Sequence, residues 1–99
     1  MTKISDISNM PALREEIDKL DAQLMQLMAR RHALIDQAAR IKAVVGLPAR
    51  IDARVEQVVE NVRGHARDHG LDPDLYDQIW RQLIEAAIAQ EERFLSKEK

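Results

Sequence analysis

Ninety-nine residues give one domain at most, and a chain this short buries only a modest share of its surface alone. With 45% apolar and 32% charged residues, three glycines and three prolines, the composition excludes disorder and predicts a helical protein. A net charge of -2 and 3% aromatics exclude the basic, stacking surface that nucleic acid needs, and the absence of cysteine excludes disulfides, thiolate nucleophiles and zinc–thiolate sites. No run is long enough for a signal peptide or a membrane span, so a soluble, cytoplasmic protein without membrane contact is expected.

Residues 1–8 read as a loose leader and residues 9–99 as a single domain. Ser8 or Asn9 offers an N-cap, Pro11 falls in the first turn, and a helix is predicted from about Asn9 to about Val45, stopped by Gly46-Leu47-Pro48. Its inner seam is Leu13, Ile17, Leu20, Leu24, Leu27, Arg31, Leu34, Ala38, Ile41 and Val45, in alternating steps of four and three. At ~1.5 Å per residue this helix is ~55 Å long, roughly twice the diameter of a compact domain of ~100 residues. A second helix is predicted from Asp52, read as its N-cap, to Gly70, with Val55, Val58, Val59, Val62 and Ala66 on one face. Asp72 as cap and Pro73 as first residue open a third, which carries Tyr76, Ile79, Trp80, Leu83, Ile84, Ala87, Ile88, Phe94 and Leu95 to about Leu95. The expected fold is all-α: a three-helix protomer whose long first helix runs antiparallel to that of a second copy in an intertwined homodimer, each covering the other's seam.

Four charges stand out against the apolar pattern. Arg31 occupies a seam position, and a buried guanidinium needs an anion, either an internal carboxylate or a ligand. Lys42 follows eleven residues later, within about 20° of the same face and ~16 Å along the axis, so the two long side chains suit a small dicarboxylate roughly 8 Å across. Arg14 lies about 25 Å from Arg31 along the helix and is expected to complete the site of the second copy. Glu91 interrupts the apolar stripe of the third helix, where a carboxyl is either protonated or paired with a cation. Arg30, Arg40, Arg63, Arg67 and Arg81 read as surface charges and Trp80 as packing. His65 and His69 have the i, i+4 spacing of metal ligands but no third partner in the sequence, so no metal is expected.

The run Leu13-Arg14-x2-Ile17-Asp18-x-Leu20-Asp21-x2-Leu24, then Arg30-Arg31, Ile41-Lys42, a proline loop and Arg54, resembles the all-helical class of chorismate mutases from about Met10 to about Leu95. The resemblance implies an intertwined dimer that rearranges chorismate to prephenate without a cofactor, a step toward aromatic amino acids. It implies that Arg31, with Arg14 of the other copy, binds the substrate carboxylates, that Lys42 reaches the ether oxygen and a carboxylate, and that Arg54 belongs to the site. Glu91 matches a position held by glutamine or glutamate, whose side chain donates a hydrogen bond to the ether oxygen. Three positions depart from the family. Ile51 and Val55 stand where many members carry acidic residues against the ring hydroxyl, for which Asp52 or Glu56 could substitute after a small register change, and Ala87 replaces a serine. These departures leave isochorismate-pyruvate lyase, on the same fold, and an amino-substituted chorismate as alternatives. A non-catalytic helical dimerisation or regulatory module is the alternative of another class, against which the presence of Arg14, Arg31 and Lys42 speaks.

Overall fold

A computed structural model describes residues 3–97, which form a short 3-10 turn, Ile4–Asp6, and three helices: α1 (Met10–Val45), α2 (Asp52–Asp68) and α3 (Pro73–Lys97). Among the described residues there is no strand, and no helix is long and apolar enough to cross a membrane. The helix ends follow from local chemistry. Asn9 Oδ1 accepts from Ala12 N at 2.9 Å, which selects Asn9 over Ser8 as the cap of α1. At the other end Gly46 takes φ +79°, and the Gly46 and Leu47 amides both donate to the Lys42 carbonyl, at 2.8 and 3.0 Å.

Helix α2 starts one residue differently from the expectation. Ile51, in extended conformation, is the cap position, and Asp52 is the first helical residue. The Asp52 carboxylate thus sits in the first turn, where it favours the positive end of the helix without accepting a cap hydrogen bond. Gly70, at φ +70°, ends the helix as Leu71 N donates to Ala66 O at 2.8 Å. Asp72 Oδ1 then accepts from Asp74 N at 2.9 Å, so Asp72 and Pro73 open α3 as their types dictate.

The chain divides into two compact units, one ending at Ala33 and the other beginning at Leu34. In the first, Ile4 and Ile7 border a shallow apolar groove with Leu13, Ile17 and Leu20 of α1. The seam residues Ile17, Leu20, Leu24 and Leu27 are each 49–63% exposed. In the second unit α2 packs on α3 around Ala49, Val59, Ile84 and Ile88, with Val55, Val58 and Leu95 against them. Ala39 is the buried residue of α1, and the neighbouring seam residues Leu34, Ile41 and Val45 are 53–61% exposed. Asp36 and Lys42 of α1 reach Gln90 and Glu91 of α3.

Candidate active site

Lys42 lies in the last turn of α1, and Glu91 lies on α3 one turn beyond Ala87 and Ile88, both buried. Lys42 Nζ donates to Ala49 O at 2.8 Å and stands 2.8 Å from Glu91 Oε1. Glu91 is 5% exposed, so this is a buried charge neutralised by one cation. The approach angle falls outside hydrogen-bond geometry, which leaves Glu91 Oε1 buried without a directional donor among the described residues. An ammonium has three N–H donors, and with one on Ala49 O and one side turned to Glu91 it keeps capacity for a ligand oxygen. One residue before Glu91, Gln90 Nε2 donates to Asp36 Oδ1 at 2.6 Å and ties α3 to α1.

Of the residues singled out in the sequence, the second unit brings together Lys42 and Glu91 and places Ala87, buried, one turn from Glu91. Val55 packs on the core and Ile51 is half-buried. Arg54 is exposed and donates to Gln57 Oε1 at 2.8 Å, one turn along α2. In the first unit Arg14 is exposed and Arg31 half-buried, and neither makes an ion pair among the described residues.

The other charges between α2 and α3 pair with one another. Arg81 grips both Glu56 oxygens at 3.1 Å and donates to Asp77 Oδ1 at 2.8 Å, while Arg63 reaches Asp77 at 3.0 Å and Asp74 at 2.8 Å. Arg63, expected at the surface, is half-buried in this lattice because its fork fits between two carboxylates. The Arg81 guanidinium holds the Glu56 carboxyl below its ordinary range, and Arg81 with Arg63 does the same to Asp77 against its own desolvation. Glu56 is paired with Arg81, and Asp52 lies exposed in the first turn of α2. A separate pair, Arg50 with both oxygens of Glu85, joins the α1–α2 connection to α3 and lowers Glu85 in the same way. His69 Nδ1 lies 2.9 Å from the His65 carbonyl, an interaction within the end of α2.

Sequence reasoning missed Asp36, Gln90, Arg50, Glu85 and the Ala49 carbonyl. Two are polar residues that read as solvent-facing, two pair across 35 positions, and a backbone oxygen leaves no mark in a side-chain pattern.

A long first helix followed by two shorter ones, with a lysine of the first paired to a buried glutamate of the third, defines an all-helical class of fold. The chain belongs to the chorismate mutase type II family, whose model matches residues 13–92 and so takes in Arg14, Arg31, Lys42, Arg54 and Glu91. It is similar to a T-protein of Haemophilus influenzae, 34% identical over 82 residues, which are 83% of this chain and 22% of that protein. The chain therefore spans about a fifth of the length of this relative.

Proposed function

We propose that the protein is a chorismate mutase that works as a homodimer in the cytoplasm. The observation that carries this reading is the pair of Lys42, anchored on Ala49 O, with buried Glu91, inside a chain that matches the family over residues 13–92. The rearrangement is intramolecular: the ether C–O bond breaks as a new C–C bond forms, and no proton or cofactor enters. Such a step needs only a substrate held folded and charge stabilisation at the departing oxygen. Lys42 supplies the charge at the ether oxygen. Glu91, buried beside Lys42, is the second polar group at that oxygen. Arg31 and Arg14 of a second copy bind the two carboxylates, and Arg54 borders the site. The half-exposed seam of α1 supports the dimer, because a second copy's long helix is the cover of matching length.

A second reading is favoured by Val55 and Glu56. With Val55 on the core and Glu56 held by Arg81, Asp52 is the remaining carboxylate on this face of α2 that could meet the ring hydroxyl of chorismate. The same cations then serve isochorismate, which carries its hydroxyl elsewhere and loses pyruvate to give salicylate. Incubation with chorismate and, separately, isochorismate, following prephenate, pyruvate and salicylate, distinguishes the two. Turnover of neither points to a non-catalytic dimerisation module. Arg31→Ala is expected to abolish turnover in a folded dimer; an unfolded variant makes Arg31 structural instead.

A further inference from the structure

We propose that Arg50 and Glu85 are positioning residues for Lys42, an inference that rests on the reading of Lys42 as the cation at the ether oxygen. The connection between α1 and α2, residues 46–51, has no regular structure and is held at three points. Its start is fixed by the left-handed Gly46, whose amide and that of Leu47 close on the Lys42 carbonyl. Its middle is fixed by the Ala49 methyl, buried among Val59, Ile84 and Ile88. Next along the chain, the Arg50 guanidinium donates through both terminal nitrogens to both oxygens of Glu85 on α3, with Nη1 3.0 Å from Oε2.

This third anchor acts on the site through one atom. The Ala49 carbonyl, which belongs to the peptide joining Ala49 to Arg50, accepts from Lys42 Nζ, and the orientation of that peptide decides where the ammonium stands. A bidentate arginine–carboxylate pair fixes direction as well as distance, so it sets the rotation of the Ala49–Arg50 peptide. A small core methyl anchors the residue but leaves that rotation open. Both partners are about half exposed, at 46% and 58%, and pairs of this kind add little to stability. The pair is thus poorly placed to hold the fold and well placed to aim Lys42.

The test uses Arg50→Gln, Glu85→Gln and the exchanged pair Arg50→Glu with Glu85→Arg, each read in three ways. Turnover of chorismate gives kcat/KM, thermal unfolding gives Tm, and acylation by a succinimidyl ester, resolved by mass spectrometry, gives the reactivity of Lys42 against that of exposed Lys19. Each single variant is expected to lose about tenfold in kcat/KM, since small misplacements of reacting groups are costly. Tm should move by less than about 4 °C. Lys42 should acylate several-fold faster relative to Lys19, and the exchanged pair should recover both rate and protection. Unchanged acylation of Lys42 overturns the proposal, as does altered acylation with wild-type kcat/KM. A loss of rate that tracks a large fall in Tm and is not recovered by the exchange also overturns it. If the wild type turns over no chorismate, the functional reading fails separately, and the acylation pattern alone decides whether Arg50 and Glu85 position Lys42.

Discussion

Lys42 Nζ stands 2.8 Å from Glu91 Oε1, and Glu91 is 5% exposed, so the carboxylate depends on this one cation. Lys42→Met leaves a buried carboxylate without a counter-charge, which costs about 3 kcal/mol. Replacing both partners, Lys42→Met with Glu91→Leu, should recover most of it, because two apolar groups of similar volume leave nothing unpaired. Urea unfolding of the three proteins checks this. A double variant no more stable than Lys42→Met would show that the pair carries no buried charge.

The same side chain is tested by its chemistry at the ether oxygen. Glu91→Gln keeps a polar group with an amide donor beside Lys42, and Glu91→Ala removes the polar group altogether. If Glu91 takes part in the reaction, kcat/KM is expected to fall by about a hundredfold in Glu91→Ala and to be largely kept in Glu91→Gln. A wild-type rate in Glu91→Ala removes Glu91 from the reaction.

Much of this arrangement is legible in the sequence because it rests on punctuation and periodicity. Gly46, Gly70 and Pro73 mark the helix ends within a residue or two, and Lys42 and Glu91 stand out as charges in apolar surroundings. What the pattern could not give is which face of α1 meets its own α3. Asp36 and Lys42 do so, while Leu34, Ile41 and Val45 of the leucine seam, the stronger hydrophobic signal, stay 53–61% exposed. Periodicity finds an apolar face but does not say which helix covers it. The one-residue shift at the start of α2 has a similar origin, since Asp52 is as favourable in a first turn as at a cap. Long-range pairs such as Arg50–Glu85 depend on tertiary register, which local spacing does not encode.

The α2–α3 lattice predicts an acid-sensitive helix pair. Glu56, Asp77 and Glu85 are each held below the ordinary carboxylate range by an arginine hydrogen bond. Groups with lower values folded than unfolded add stability above the unfolded value, about pH 4, and lose it as pH falls through the folded value. Thermal midpoints should therefore hold from pH 7 to about pH 5 and drop below about pH 4. Arg81→Gln should flatten that drop, because it frees Glu56 and removes one of the two arginines on Asp77. High salt should weaken the effect, since these pairs are largely exposed.

Gly46 turns α1 into the connection that carries Ala49. At φ +79° a Cβ meets no neighbour within 4 Å, so the cost of Gly46→Ala is that of the left-handed backbone alone, about 1–2 kcal/mol. The variant should also lose turnover beyond what its stability predicts, because the Lys42 carbonyl accepts the Gly46 amide and a relaxed turn moves the lysine. Chemical unfolding with parallel rate measurements separates the two effects.

The seam of α1 makes the sharpest quantitative contrast. Ile17, Leu20, Leu24, Leu27, Leu34, Ile41 and Val45 are each 49–61% exposed or, for Leu27, 63%, an apolar line too long to leave in water. If a second copy covers it, the protein sediments at twice the mass of the chain and its Tm rises with concentration. Leu24→Ala then removes a buried leucine from each protomer at about 2–5 kcal/mol per site, and Leu24→Glu, placing a charge in the seam, dissociates and unfolds the dimer together. If the seam faces water, both substitutions stay within about 0.5 kcal/mol of wild type and the sedimenting mass is that of one chain. Because the two outcomes differ several-fold in energy and twofold in mass, sedimentation velocity and concentration-dependent melting of wild type and Leu24→Glu decide between them.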